Sequence, residues 1–486
     1  MLIKNQEYEI TIEDFGNDGE GIGHIDGIAV FVKDAAKGDR AVVRITKVKK
    51  NYAYARLMQI IEPSPMRQEP PCPHAKRCGG CSLMHISYKD QLAWKQEKVS
   101  QCLQRIGGIE DPSSLMEPAV GLPDDSNGLR YRNKAQFPVG RGKDGEVTIG
   151  FYARHSHDII DTDTCLLQPE IFDQILQTCR EFLQENRIEP YEEETGKGLL
   201  RHIMMRIGQA TGQIQICFVI NGDAIRVKGE KAYVKEDGSA GCFTKTEEKL
   251  VATLQKTKGI ASIVVNKNTE RTNRILGSSV RVLWGREIIE DRIGDISFDI
   301  GPLSFYQVNP TQTVRMYQKA LDYAELTGKE TVWDLYCGIG TISLFLARRA
   351  DTVCGVEIVE EAIEDARKNA EKNHISNARF FAGKAEEILP EQYEKNKIHA
   401  DVIVVDPPRK GCDERVIDTM LKMRPDRIVY VSCDPATLAR DIKLLSEGGY
   451  ELKKACIFDN FCQSTHVETI VLLRRKTDLF WKDNFD

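Results

Sequence analysis

Two short segments carry groups that can act together on carbon. Val431-Ser432-Cys433-Asp434-Pro435 offers a thiol, and His466-Val467-Glu468-Thr469, beginning 33 residues after Cys433, offers a carboxylate. Such a pair can methylate a ring carbon too weak to attack a methyl donor unaided, C5 of uracil being the case in point. A thiolate adding to C6 turns C5 into an enolate-like nucleophile. After methyl transfer the C5 proton must leave, and a carboxylate can take it. Cys433 closes the apolar run Ile428-Val429-Tyr430-Val431-Ser432, and Asp434 and Pro435 read as N-cap and first-turn residues of a helix. A thiol there feels the positive end of the helix dipole, which favours thiolate. Taken singly, Cys433 could be a buried structural cysteine and Glu468 a surface charge. His466 is either an alternative base or a hydrogen-bonded loop residue.

A glycine-rich loop lies upstream. Val332-Trp333-Asp334-Leu335-Tyr336-Cys337-Gly338-Ile339-Gly340-Thr341 leaves a strand and enters a helix, and its glycines let the backbone approach a ligand. Val353-Cys354-Gly355-Val356-Glu357 ends the next strand with an acid that can accept both hydroxyls of a ribose. A dinucleotide fingerprint would place a third glycine where Ser343 stands. S-Adenosylmethionine, with no pyrophosphate to cradle, suits the loop better. Asp401-Val402-Ile403-Val404-Val405-Asp406-Pro407-Pro408-Arg409-Lys410-Gly411 ends a further strand. Ligands of open α/β sheets sit at the carboxyl ends of strands, so Asp406 should face the cofactor. Amino-group methyltransferases carry an aromatic after such an Asp-Pro-Pro. Arg409 stands there instead, which argues against an exocyclic nitrogen target.

The elements that must position these groups follow from periodicity. From about residue 300 strands and helices alternate: strands at Thr331–Tyr336, Thr352–Glu357, Arg379–Ala382, Asp401–Val405, Arg427–Cys433 and Glu468–Arg474, helices at 340–349, 359–373, 413–423 and 435–447. Buried apolar strands between amphipathic helices predict a doubly wound, Rossmann-like sheet over 300–486. Residues 1–61 read as a small β-barrel of OB type, with strands at Tyr8–Phe15, Ile28–Val32, Arg40–Val48 and Tyr52–Ile60 punctuated by glycines. A proline-rich linker, Glu62–Pro71, follows. Residues 62–299 read as a central α+β domain holding a cysteine cluster. Its helix at 88–106 ends at Gly107-Gly108 and could pack on the catalytic domain, and 222–247 reads as an exposed excursion. The fold class is therefore multidomain α/β.

Composition narrows the setting. The chain has 486 residues, 41% of them apolar and 29% charged, enough for two to four cored domains. It holds no run of about 18 apolar residues, so no membrane partner is expected. The start, Met1–Glu7, lacks a signal-peptide core, and the expected location is cytoplasmic. No obligate protein partner is evident. Net charge is −6, but residues 37–56 carry Lys37, Arg40, Arg44, Lys47, Lys49, Lys50 and Arg56 against Asp39 alone, interleaved with Tyr52 and Tyr54. Such a stripe can grip phosphates and stack bases, or can be a solvated strand face. Fourteen cysteines in a cytoplasmic chain point to core, metal or nucleophile roles rather than disulfides. Cys217, Cys354 and Cys456 sit in apolar runs. Cys72-x5-Cys78-x2-Cys81, with Cys165 far downstream, offers four thiolates for zinc or an iron–sulfur cluster, and spacing does not choose between them. Cys102 is a rival fourth ligand.

At these residues the chain resembles the RNA uracil-5-methyltransferase family, and most closely its 23S ribosomal RNA members, which carry an N-terminal TRAM domain and an iron–sulfur cluster. Gly19–Val32 resembles a TRAM barrel, and Ser304-Phe305-Tyr306-Gln307-Val308-Asn309 resembles the family's lead into its class I methyltransferase domain. Asp334–Gly340, Asp406–Gly411, Ser432–Pro435 and His466–Glu468 follow in the family's order. The resemblance implies that Gln307, Tyr336, Glu357 and Asp406 contact S-adenosylmethionine. It implies that Cys433 is the nucleophile, that Glu468 removes the C5 proton, and that Cys72, Cys78, Cys81 and Cys165 hold a 4Fe-4S cluster. The product would be 5-methyluridine in a loop of 23S rRNA. The resembling tRNA uracil-5-methyltransferases lack barrel and cluster, so residues 1–81 argue for rRNA. An RNA cytosine-5-methyltransferase, also a cysteine enzyme, is the weaker alternative, because the motifs do not resemble that family's.

Overall fold

The computed structural model describes residues 2–142, 144–234 and 242–476. Its N-terminal six strands, Glu7–Thr11, Asp14–Phe15, Gly21–Ile25, Ile28–Lys33, Arg40–Val48 and Tyr52–Glu62, close around Ile10, Ile12, Val30, Val32, Val43 and Ile45. The expected strand Tyr8–Phe15 is broken into two, because Ile12 turns inward to the core and bonds the Asp39 carbonyl. Gly21 and Gly23 lie inside a strand rather than between strands. A Cβ at Gly23 would fall 2.2 Å from the Thr11 carbonyl, so the crossing chain leaves room only for glycine.

The central sheet runs in the order 279–285, 260–267, 214–220, 200–207, 134–141, 147–152 and 159–161. Helices Glu170–Glu185 and Lys245–Leu254 cover one face through Phe172, Leu176, Phe182 and Leu250. The excursion expected at 222–247 is exposed at Asp223, Arg226, Lys228, Gly229, Lys231, Ala232 and Val234, and is pinned to this body near its two ends. Ala224, Ile225 and Phe243 are buried, and Thr244 and Glu247 form a capping box on the second helix. Residues 235–241 lie outside the described residues.

The C-terminal sheet positions the chemistry. Its strands are β1 (Thr331–Leu335), β2 (Thr352–Glu357), β3 (Ala378–Ala382), β4 (Val402–Val405), β5 (Arg427–Ser432), β6 (Tyr450–Phe458) and β7 (Glu468–Arg475). Their spatial order is β3-β2-β1-β4-β5-β7-β6. The first five are parallel, and β1, β2, β4 and β5 are buried on both faces as doubly covered strands must be, whereas the edge strand β3 buries only Phe380. β7 inserts antiparallel between β5 and β6. The hairpin Ile289–Ile293/Ile296–Ile300 packs its Ile289, Ile296 and Phe298 into this same core, upstream of the boundary expected at 300. Helix Tyr88–Arg105 reaches it too, with Val99 and Leu103 packed among Leu438, Ala439 and Ile442 of the helix Pro435–Glu447. Among the described residues no helix is long and apolar enough to cross a membrane.

Candidate active site

Cys433 and Glu468 meet across two neighbouring strands. β5 and β7 pair antiparallel with Val431 opposite Ile470 and Ser432 opposite Thr469. The next pair in that register is Cys433 and Glu468, one residue past the end of β5 and the first of β7. Directly opposed residues point to one face with Cβ atoms about 5 Å apart. Sequence separation hid this, since 34 residues and a whole strand intervene. Asp406, at the carboxyl end of the adjoining β4, faces the same space. Its charge acts on both Cys433 and Glu468, as does the opposite charge of Arg409.

The site is dry and acidic. Burial first, and then the charge of neighbouring Asp406, push Glu468 up to about 8 against the pull of Arg409. Burial holds Asp406 at about 7. Asp334 is also held at about 7 by burial, although Ser343 donates to it, with Asp406 adding to the rise. Each acid keeps its proton more tightly folded than unfolded. Their stabilising contribution is full below the ordinary values of 3.8 to 4.5 and is lost as pH rises through about 7 to 8. Glu468→Gln removes one such loss. Its melting temperature should match wild type near pH 5 and exceed it increasingly toward about pH 9, as read by calorimetry.

The expectation of a thiolate at a helix N-terminus is not met in the free protein. Burial, then Glu468 and Asp406, push the Cys433 thiol up to about 11. Asp434, the N-cap, explains why the helix end does not help. Its carboxylate already accepts the N–H groups of Ala436 and Thr437, each at 3.0 Å. The helix dipole is answered by Asp434 before it reaches the sulfur. His466 is exposed at its edge of the site, is held below the ordinary imidazole value by partial desolvation and by Arg409, and stands edge-on to Phe461 with centroids 5.9 Å apart.

The cofactor cradle forms at the ends of β1, β2 and β4. Tyr336 takes φ 69° and its N–H bonds the Val356 carbonyl at 2.8 Å, turning the chain sharply out of β1. Left-handed backbone at an aromatic residue is strained and marks a site held for a purpose. Gly340, with φ 81°, lies so close to Ala366 and Phe380 that a Cβ would sit 3.2 Å from each. Gly338 faces open space. Glu357 receives one backbone donor on each oxygen, Gly338 N–H at 3.2 Å and Val359 N–H at 3.0 Å, which leaves lone pairs on both for a diol. Beside it Ile358 and Val359 are 61% and 47% exposed, an apolar surface that the sequence reading missed. Gln307 is buried, its carbonyl held by Asn133 and its side-chain oxygen by Asn460. Arg206, also missed, is fully buried and grips the Gly301 and Ser304 carbonyls at 2.8 Å each. That grip fixes the loop from which Phe305 projects, 72% exposed.

The four cysteines at 72, 78, 81 and 165 share one half-buried pocket. Burial raises Cys81, with Cys165, Cys78 and Cys72 adding to the rise. Burial raises Cys165 to about 11 against hydrogen bonds from the N–H groups of Leu167 and Gln168. Gly80 N–H lies 3.4 Å from the Cys78 sulfur, and Arg154 clamps the Ala75, Cys78 and Cys81 carbonyls around them. Neighbouring thiols with N–H donors and a nearby guanidinium have the chemistry to hold an anionic iron–sulfur group. They do not close on a single point: among the described residues no three of His, Cys, Asp or Glu are grouped to hold a metal ion. Cys102 stands apart, beside Lys98 and Asp434. Cys217, Cys354 and Cys456 are fully buried.

The basic stripe is less basic than it reads. Asp39 is buried, accepting N–H groups of Ala36 and Ser64 and the Arg67 guanidinium. Arg40 pairs with Glu9 and Glu62, and Arg44 with Glu7, across neighbouring strands. Phe31, Tyr52 and Tyr54 form an aromatic cluster with centroids 5.5 to 5.7 Å apart, and Tyr54 is exposed.

Comparison with known proteins meets this geometry. Residues 289–476 match the tRNA (Uracil-5-)-methyltransferase family and residues 3–58 match the TRAM domain. The chain is 48% identical over 478 residues to a protein of Listeria innocua described as an uncharacterized RNA methyltransferase, covering 98% of this chain and 99% of that one. A counterpart of the same description in Halalkalibacterium halodurans is 46% identical over 474 residues, covering 97% and 98%. The tRNA (uracil-54, C5)-methyltransferase of Pyrococcus abyssi, solved with S-adenosyl-L-homocysteine, superposes with a TM-score of 0.72 at 27% identity, over 96% of this chain and 100% of that one. That coverage weakens the argument that residues 1–81 speak for rRNA, because the fold of a tRNA (uracil-54, C5)-methyltransferase spans nearly the whole chain. With the TRAM barrel at one end, the methyltransferase sheet at the other and relatives that align end to end, the chain belongs to the RNA uracil-5-methyltransferase family.

Proposed function

We propose that the chain methylates C5 of a uridine in 23S ribosomal RNA. The observation that carries the reading is the register of β5 against β7, which continued by one residue sets Cys433 opposite Glu468, the carboxylate whose charge acts on its thiol. The target uridine leaves its stack to meet Cys433, since attack comes from above C6. The half-buried Cys433 thiol gives up its proton to solvent, and the positive charge of Arg409 favours the thiolate. Sulfur bonds to C6, and the electron pair of the C5–C6 double bond moves to C5. C5 takes the electrophilic methyl group that S-adenosylmethionine would supply, the sulfur–methyl bond breaking to leave S-adenosylhomocysteine. Glu468, unprotonated, removes the C5 proton, the double bond re-forms and sulfur leaves. The three buried acids suit a cationic donor. Gln307, Tyr336, Glu357 and Asp406 are the residues we assign to it, with Ile358 as the apolar face for its purine. Glu357→Ala should weaken binding of S-adenosylhomocysteine roughly 10- to 100-fold by calorimetry, the cost of losing hydrogen bonds to a charged group.

The Pyrococcus abyssi superposition favours a second reading, in which the substrate is tRNA. Tritium release separates them. Transcripts of 23S fragments and of tRNA carrying 5-tritiated uridine are mixed with protein and S-adenosylmethionine. Cofactor-dependent release from one of them names the substrate. Methyl incorporation without tritium release would move the reaction off uracil C5.

We assign a 4Fe-4S cluster to Cys72, Cys78, Cys81 and Cys165, where it would brace the RNA-binding side of the molecule. The chemistry above needs no electron from it. Anaerobic reconstitution should load iron and inorganic sulfide in equal amounts, and Cys81→Ser should lose both. Uptake of zinc alone would overturn the assignment.

A further inference from the structure

The segment 459–466 joins β6 to β7 and so delivers Glu468. It reads as a polar loop, yet Gln463 is 2% exposed with φ 66°. Its carbonyl accepts the N–H groups of Ser82 at 2.9 Å and Leu83 at 3.1 Å, the two residues that follow Cys81. Its side-chain oxygen accepts from Gln91 Nε2 at 2.9 Å, and its Nε2 donates to the Asn127 carbonyl at 2.8 Å. Left-handed backbone at a non-glycine residue persists where the surroundings over-determine it, and four bonds do so here. Cys462 packs in the same apolar pocket as Cys72, Cys81 and Cys165. The far end of the segment is held by Lys95 and Asp459, a fully buried pair 2.5 Å apart.

We propose that Gln463 is a positioning residue for Glu468. It ties the lead-in of β7 to the peptide after Cys81, so the four-cysteine pocket is the far anchor of the catalytic base. The inference rests on Glu468 being that base. Proton abstraction tolerates little misplacement, whereas binding of cofactor and RNA elsewhere does not depend on this tie.

Two variants and one exchange measurement test it. Gln463→Ala removes both side-chain bonds. Gln463→Asn tolerates the left-handed backbone but is one methylene too short for its partners. Each should lower turnover about tenfold with Michaelis constants for RNA and S-adenosylmethionine little changed. The methylated protein–RNA adduct should accumulate on denaturing gels, and deuterium at C5 should slow the variants more than wild type. A purely structural role predicts neither, and a variant with wild-type adduct levels and isotope effect overturns the proposal. Separately, Cys81→Ser should raise amide hydrogen exchange over 461–468 while leaving 402–405 protected. Unchanged exchange over 461–468 overturns the tie whatever the chemistry. Glu468→Gln serves as the benchmark: if it traps no adduct, the assigned reaction fails, and the exchange result still decides whether the anchor exists.

Discussion

An alanine at position 433 leaves no detectable turnover and no covalent protein–RNA species. Wild type incubated with RNA containing 5-fluorouridine and S-adenosylmethionine should become trapped as a methylated adduct, because fluorine cannot leave C5 as a proton does. Cys433→Ala removes the only atom that bonds C6 in the proposed path, so the adduct band disappears and tritium stays on the ring. Cofactor affinity should hold, because Glu357 and the glycine loop lie on other strands. Persisting tritium release in this variant would place the nucleophile elsewhere. The raised thiol also sets a pH dependence. With Cys433 near 11 in the free protein and required without its proton for attack, kcat/KM should climb with pH toward about 11, while Glu468, needed only after methyl transfer, should show its ionisation in kcat. Because the groups interact, the apparent values belong to the cluster rather than to either residue.

Glu468→Gln should fail at a different point. Attack and methyl transfer precede the need for a base, so this variant should form the C5-methylated adduct on ordinary RNA and hold it. Turnover should fall about 10²- to 10⁴-fold, the usual worth of a positioned general base. Denaturing gels with labelled cofactor read the adduct directly. A variant that turns over normally would hand the proton to His466 or to water. The two variants thus bracket the reaction, one stalled before the first bond and one after the second.

The parallel half of the catalytic sheet was legible because β1, β2, β4 and β5 are short apolar runs ending in loops of strong character. The glycines at 338 and 340 and the acid at 357 sit where the chain pattern places them. What escaped the sequence reading was long-range. β7 is apolar on both faces, so nothing in its pattern says that it runs antiparallel or lies beside β5. The thiol's rise depends on Asp406 and Glu468 arriving from two other strands. Gln463 is polar and sits among turn-forming residues, and its far partners Ser82, Leu83, Gln91 and Asn127 make it a buried residue. In the barrel, charges were counted along one strand, while Glu7, Glu9 and Glu62 answer them from neighbours.

The two-sided burial of β7 also constrains how the gene can drift. Where one face of a strand meets water, a slip by one residue is penalised by every side chain at once. Here a slip would exchange one buried apolar set, Ile470, Leu472, for another, Val471, Leu473, at modest cost, while turning the carboxylate at 468 away from the sulfur. Alternation cannot keep the count, so the span from 459 to 467 must keep it. Substitutions there should be tolerated where side chains reach solvent, but a single inserted or deleted codon should produce a folded, inactive enzyme.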